Sequence, residues 1–153
     1  MIKKLVLKGR ISRVLVGIDG SNHSFMAAEC ALNISKKFRA KLFAITVSYN
    51  PANSQLSQQE AIEVEAGLPE MDRARTWFES FTQDARQNKI DLRTELVSSQ
   101  RPVDYVMLEY AEKEAIDLIV IGTRGKTGLS KIVLGSVASG IVTYSIPPVL
   151  VVK

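Results

Sequence analysis

Short apolar runs alternate along this chain with longer segments in which apolar residues recur every three or four positions. Arg13-Val-Leu-Val-Gly-Ile18 is short, apolar and partly β-branched, which predicts a strand. Asp19-Gly20-Ser21-Asn22 then supplies turn and N-cap chemistry, and helical spacing puts Ala28, Ala31, Leu32, Ser35 and Phe38 on one face. Lys36, Lys37 and Arg39 close that helix at the negative end of its dipole. A second strand is expected over Lys41–Val47, followed by a polar connection from Ser48 to about Glu70 in which Glu60–Ala66 has helical character. The spacing of Ala74, Trp77, Phe78, Phe81 and Ala85 predicts a long helix from about Met71 to Asn88. Asp91–Val97 reads as a third strand, Pro102 as the first residue of a helix running to Glu114, and Ile116–Ile121 as a fourth strand. A helix opening at Gly135-Ser136, with Val137, Ile141 and Tyr144 on one face, leads to a fifth strand at Pro148–Lys153.

Strands alternating with helices predict a parallel α/β fold with helices on both faces of the sheet. The near-continuous apolar character of the strands agrees with burial on both faces. Ligands of such sheets bind outside the carboxyl ends of the strands, where the strand order reverses. Two such ends carry unusual residues here, Asp19 after the first strand and Gly122 after the fourth.

Composition narrows the class. The 153 residues fit a single domain, with residues 1–12 as a basic arm and 48–70 as a variable connection. No apolar run approaches the ~20 residues of a membrane helix, and the start lacks the apolar length and cleavage site of a signal peptide. No membrane association and a cytoplasmic location are therefore expected. Cys30 is the single cysteine and His23 the single histidine, so neither an internal disulfide nor a structural metal cluster is expected. Cys30 reads as a small buried helix residue and His23 as an exposed first-turn residue. The net charge is +4, yet residues 1–13 hold Lys3, Lys4, Lys8, Arg10 and Arg13 without an acid, leaving the remainder near neutral. No basic stripe interleaved with aromatics crosses the fold, so nucleic acid is not an expected partner.

The candidate chemistry lies in Gly122-Thr-Arg-Gly125-Lys-Thr-Gly-Leu-Ser-Lys-Ile-Val-Leu-Gly135-Ser136. The Gly125-Lys126-Thr127 triplet resembles a P-loop, but Val120 stands where that motif requires its first glycine. The spacing of a dinucleotide fingerprint is also missing, as are the acidic residues of a phosphoacceptor receiver. What remains is Gly122-x2-Gly125-x9-Gly135-Ser136. Glycine at a strand end admits a close approach of backbone, and the amides of a helix start favour an anion. Arg124, Lys126 and Lys131 add positive charge between the two ends. Spacing alone leaves a phosphate site and ordinary turn geometry equally open.

At these residues the chain resembles the universal stress protein family, specifically its ATP-binding branch with the pattern G-2x-G-9x-G-[S/T]. Val14-Leu-Val-Gly-Ile-Asp-Gly-Ser21, Asp117-Leu-Ile-Val-Ile-Gly122 and Pro148-Val-Leu-Val-Val152 extend the likeness over most of the chain after residue 12. The resemblance implies a Rossmann-like five-stranded sheet of order 3-2-1-4-5, as in the adenine nucleotide alpha hydrolase-like folds. It also implies a regulatory ATP-binding protein rather than an enzyme, with Mg²⁺ or Mn²⁺ accompanying the triphosphate. Asp19 would lie near the ribose or adenosine, and the backbone of Val47 near adenine. Gly122, Arg124 and Gly125 would line ribose and phosphates, and Gly135, Ser136 and Val137 the distal phosphates. The family's usual Gly-x-Pro turn before the third helix is Gln100-Arg101-Pro102 here, which implies a local loop difference. A homodimer through the edge strand 149–152 is also implied. Two alternatives stay open: a slow ATPase or phosphotransferase using the same pocket, and an interaction protein of the same fold that binds no nucleotide.

Overall fold

A computed structural model describes residues 10–50, 68–123 and 134–153. Their elements are β1 (Arg13–Gly17), α1 (Asn22–Phe38), β2 (Lys41–Tyr49), α2 (Leu68–Gln87), β3 (Leu92–Ser99), α3 (Val103–Lys113), β4 (Leu118–Gly122), α4 (Ser136–Tyr144) and β5 (Val149–Val152). The strands form one parallel sheet of order β3-β2-β1-β4-β5, the order that the resemblance implies.

The apolar runs divide by a strict period of two. Val14, Val16, Leu42, Ala44, Leu118 and Val120 face α1 and α2, where Ala27, Ala31, Leu32, Phe78 and Phe81 cover them. Leu15, Phe43, Ile45, Ile119 and Ile121 face α3 and α4, beneath Met107, Tyr110, Ala138 and Ile141. Each central strand thus feeds two cores, which is why its sequence reads as a run rather than an alternation.

Local chemistry sets the element ends. Ser21 caps α1, its Oγ accepting from the Ser24 amide at 3.1 Å. Arg39 ends that helix in the left-handed conformation at φ 54°, its amide donating to Lys36 O. Ahead of β4, Asp117 Oδ2 accepts from the Ser12 amide (2.9 Å), the Ser12 hydroxyl (2.8 Å) and the Arg13 amide (2.9 Å). The start of β1 is thereby tied to the start of β4.

Several expectations are adjusted. β2 runs to Tyr49 and β3 to Ser99, each two residues past the apolar run, because the two strands keep pairing through Tyr49↔Ser99. Pro102 is the N-cap rather than the first helical residue. Phe38 is 39% exposed and Tyr144 73% exposed, although helical spacing put both on inner faces; each is the last residue of its helix. Cys30 lies on α1 as expected but is only half-buried at the margin of the first core. The helical character expected at Glu60–Ala66 lies outside the described residues.

Candidate nucleotide site at the carboxyl ends of β1 and β4

The chain leaves β1 toward β2 and leaves β4 toward β5, so the strand order reverses between these two neighbours. β1 ends at Gly17 opposite Ile45, while β2 continues four residues further to Tyr49. Sheets of this kind bind ligands beyond the carboxyl ends of the strands where the order reverses, which makes the ends of β1 and β4 the candidate site, and Val47 lies on the part of β2 that runs past β1. Val47 is half-buried, pairs with Val97 and packs at the edge of the α3/α4 core.

The turn after β1 is held from three directions. The Ile18 amide donates to Ile45 O at 2.9 Å, and the buried Thr46 hydroxyl donates to Ile18 O at 2.8 Å. Asp19 Oδ1 accepts from the Ser21 amide at 2.9 Å, and the Asp19 amide lies 3.3 Å from Ser24 Oγ. Gly20 sits at φ +81°, a conformation side chains avoid, with the Trp77 ring of α2 directly over its Cα. Phe25 meets Trp77 edge-to-face with centroids 5.7 Å apart. Asp19 therefore both shapes the turn and stands, half-buried, just beyond the carboxyl end of β1.

Gly122 is the last residue of β4. A Cβ there would lie 2.8 Å from the backbone carbon, oxygen and Cβ of His23, so the glycine admits the first turn of α1. His23 is accordingly half-buried rather than exposed, and its Nδ1 lies 3.5 Å from Thr123 Oγ1. Thr123 then bonds to two other elements. Its amide donates to Val152 O at 3.0 Å, and its carbonyl accepts from the Gly135 amide at 2.9 Å. Thr123 and Gly135 therefore lie side by side.

Gly135 is the N-cap of α4 at φ −59°, ψ 159°, and makes no side-chain capping bond. Ser136 is exposed, and Val137 is half-buried at the edge of the α3/α4 core. The first amides of α4, at Ser136 and Val137, thus start beside the end of β4 with no side-chain cap. Arg124 and Gly125, both expected at the phosphates, lie outside the described residues.

The structure brings Asp19, Gly122, Gly135, Ser136 and Val137 to one edge of the sheet, with Val47 on the neighbouring overhang. Sequence reasoning missed three residues that hold this edge together: Trp77, His23 and Thr123. Trp77 appeared only as a core-facing helix residue, and its contact with Gly20 spans two elements that periodicity treats separately. Among the described residues, no group of three His, Cys, Asp or Glu side chains is placed to hold a metal ion. No described helix is long and apolar enough to cross a membrane.

Comparison with known proteins agrees with this architecture. The profile of the Universal stress protein family matches residues 10–153. The chain is 35% identical over 141 residues to universal stress protein MJ0531 of Methanocaldococcus jannaschii, covering 92% of this chain and 81% of that protein. The fold superposes on UspA of Lactobacillus plantarum with TM-score 0.82 at 24% identity, over 94% of this chain and 99% of the other. A universal stress protein solved in complex with cAMP superposes with TM-score 0.68 at 23% identity, over 94% of this chain and 98% of that one. With its profile matched over nearly the whole length and its five-stranded parallel sheet, the chain belongs to the universal stress protein family.

Proposed function

We propose that this chain is an ATP-binding regulatory protein whose nucleotide lies across the carboxyl ends of β1 and β4. One observation carries the reading: the two ends of the G-2x-G-9x-G-S pattern meet through the 2.9 Å bond from the Gly135 amide to Thr123 O. That bond puts the start of α4 beside the end of β4. The amides of Ser136 and Val137 and the Ser136 hydroxyl then supply donors for the distal phosphates. Gly122, Arg124 and Gly125 serve the ribose and inner phosphates, and Asp19 and Val47 the nucleoside end. The cAMP-bound relative supports an adenine nucleotide as the ligand class. Asp19 is an acidic group at this end of the sheet and would stand near a Mg²⁺ or Mn²⁺ bound with the nucleotide. When bound, such an ion would neutralise phosphate charge.

The reading is of a binding protein and not an enzyme. The Asp19 carboxylate already accepts from the Ser21 amide, which commits it to holding the turn it shapes. We further assign the chain to the cytoplasm and to a homodimer paired through 149–152. Mass spectrometry of the small molecule released from gently purified protein tests the central assignment. An adenine nucleotide at near-equimolar ratio is expected. An empty protein that also fails to bind added ATP would overturn the assignment. Multiple-turnover phosphate release above the buffer rate would favour the ATPase alternative.

A further inference from the structure

On the sheet face covered by α3 and α4, a groove of about 430 Å³ opens between α3 and the connection into β5. Leu108, Ile116, Ile146 and Pro147 form its apolar walls, and Glu109 and Glu112 stand along α3 beside it. The connection is held in shape: the Ser145 amide donates to Ile141 O at 2.9 Å and its hydroxyl to Pro147 O at 2.6 Å. Ile146 nevertheless leaves 89% of its surface exposed, and Tyr144 at the groove's end 73%. Large apolar side chains exposed together on a rigid frame mark a docking surface.

Two observations identify the occupant. The first is where the chain enters the fold. Ser12 bonds Asp117 through its amide and hydroxyl, and the Arg13 guanidinium donates to Glu114 O at 2.6 Å. Both partners lie within two residues of Ile116, which lines the groove, so Ser12 and Arg13 are anchored near it, while Ile11 packs against the α1/α2 core. Nine extended residues reach roughly 30 Å. The second is chemistry. Ile2, Leu5, Val6 and Leu7 are apolar, and Lys3, Lys4 and Lys8 are basic. Glu109 already pairs with Arg101, whereas Glu112 has no ion-pair partner among the described residues. An apolar and basic segment suits an apolar groove with an acidic rim.

We propose that residues 2–8 dock in this groove of their own chain, their apolar side chains against Ile146 and Leu108 and their lysines along Glu112 and Glu109. The contact is intramolecular and separate from the proposed nucleotide site, so it stands whether or not ATP binds.

Thiol cross-linking in a Cys30→Ser background tests it. Val6→Cys paired with Tyr105→Cys, at an exposed groove-lining position, treated with a short bifunctional thiol reagent, is expected to give an internally bridged single chain. Val6→Cys paired with Glu79→Cys, on α2 across the sheet, is the control and should give little. Adding Glu109→Lys should lower the first yield severalfold. Equal yields for the two pairs would overturn the proposal, and so would a product that migrates as two chains, which would assign the groove to a second copy. Because substituting the arm could itself weaken docking, a second measurement keeps Cys30 and compares the full chain with one that lacks residues 1–9. Deleting residues 1–9 should speed amide hydrogen exchange across 108–116 severalfold while leaving β1 unchanged. Unchanged exchange across 108–116 would also overturn it.

Discussion

Two glycines of the same sequence pattern do different work. The missing Cβ of Gly122 is what lets the first turn of α1 reach β4, since a methyl there would meet the His23 backbone at 2.8 Å. The neighbour is backbone and cannot rotate aside. Gly122→Ala is therefore expected to lower stability by about 1–3 kcal/mol, the range for overfilling a packed site, as a fall in the urea midpoint. Gly135 differs, because its φ of −59° suits any residue. Gly135→Leu should lower stability by no more than about 1 kcal/mol, the loss of a favoured N-cap residue, and yet abolish the heat of ATP binding in calorimetry. If Gly135→Leu binds ATP with unchanged affinity, the start of α4 is not the phosphate site.

At the scale of elements, one carboxylate ties the amino ends of β1 and β4 together. Desolvation raises the pKa of Asp117, but the Ser12 hydroxyl, the Ser12 and Arg13 amides and the Arg13 charge outweigh it and leave the pKa below the usual carboxylate value. A carboxyl group depressed in the folded state stabilises the fold above its unfolded pKa, about 3.9, and loses that contribution as pH falls through the folded value. Asp117→Ala removes all three hydrogen bonds. It is expected to lower stability by about 2 kcal/mol at pH 7, with the gap to the unaltered protein narrowing below about pH 4. Urea melts at pH 7 and at the lowest pH that keeps both proteins folded measure the difference. The elements themselves were legible because local sequence dictates them: a five-residue β-branched run after a polar segment, or five apolar residues at helical spacing around Trp77. The strand order came from the resemblance. Contacts between distant elements were not legible. Trp77 over Gly20, and His23 against Gly122, depend on how helices settle on the sheet, which no periodicity encodes. Val47 could be placed at a strand end, but that β2 overhangs β1 by four residues follows only from the register.

The whole molecule has an unfinished edge. β5 pairs with β4 alone, and the carbonyls of Pro148 and Val152 accept from the Ile119 and Thr123 amides. In a parallel pair, alternate residues turn their backbone groups inward, so Val149 and Val151 turn theirs outward from the sheet. Four apolar residues make this an edge without the charges that usually blunt one, whereas β3 at the other edge carries Arg93 and Glu95. The contrast supports pairing at β5 with a second copy. Leu150 tests it without entering the core, since its surface is 37% exposed. Leu150→Lys should change monomer stability by no more than about 0.5 kcal/mol, as expected for a surface site. Paired across the edge, it would set two like charges close together, which disfavours association. Analytical ultracentrifugation at micromolar concentration is expected to find dimer for the unaltered chain and monomer for Leu150→Lys. A monomer in both cases would remove the dimer, and a dimer in both would move the interface away from β5.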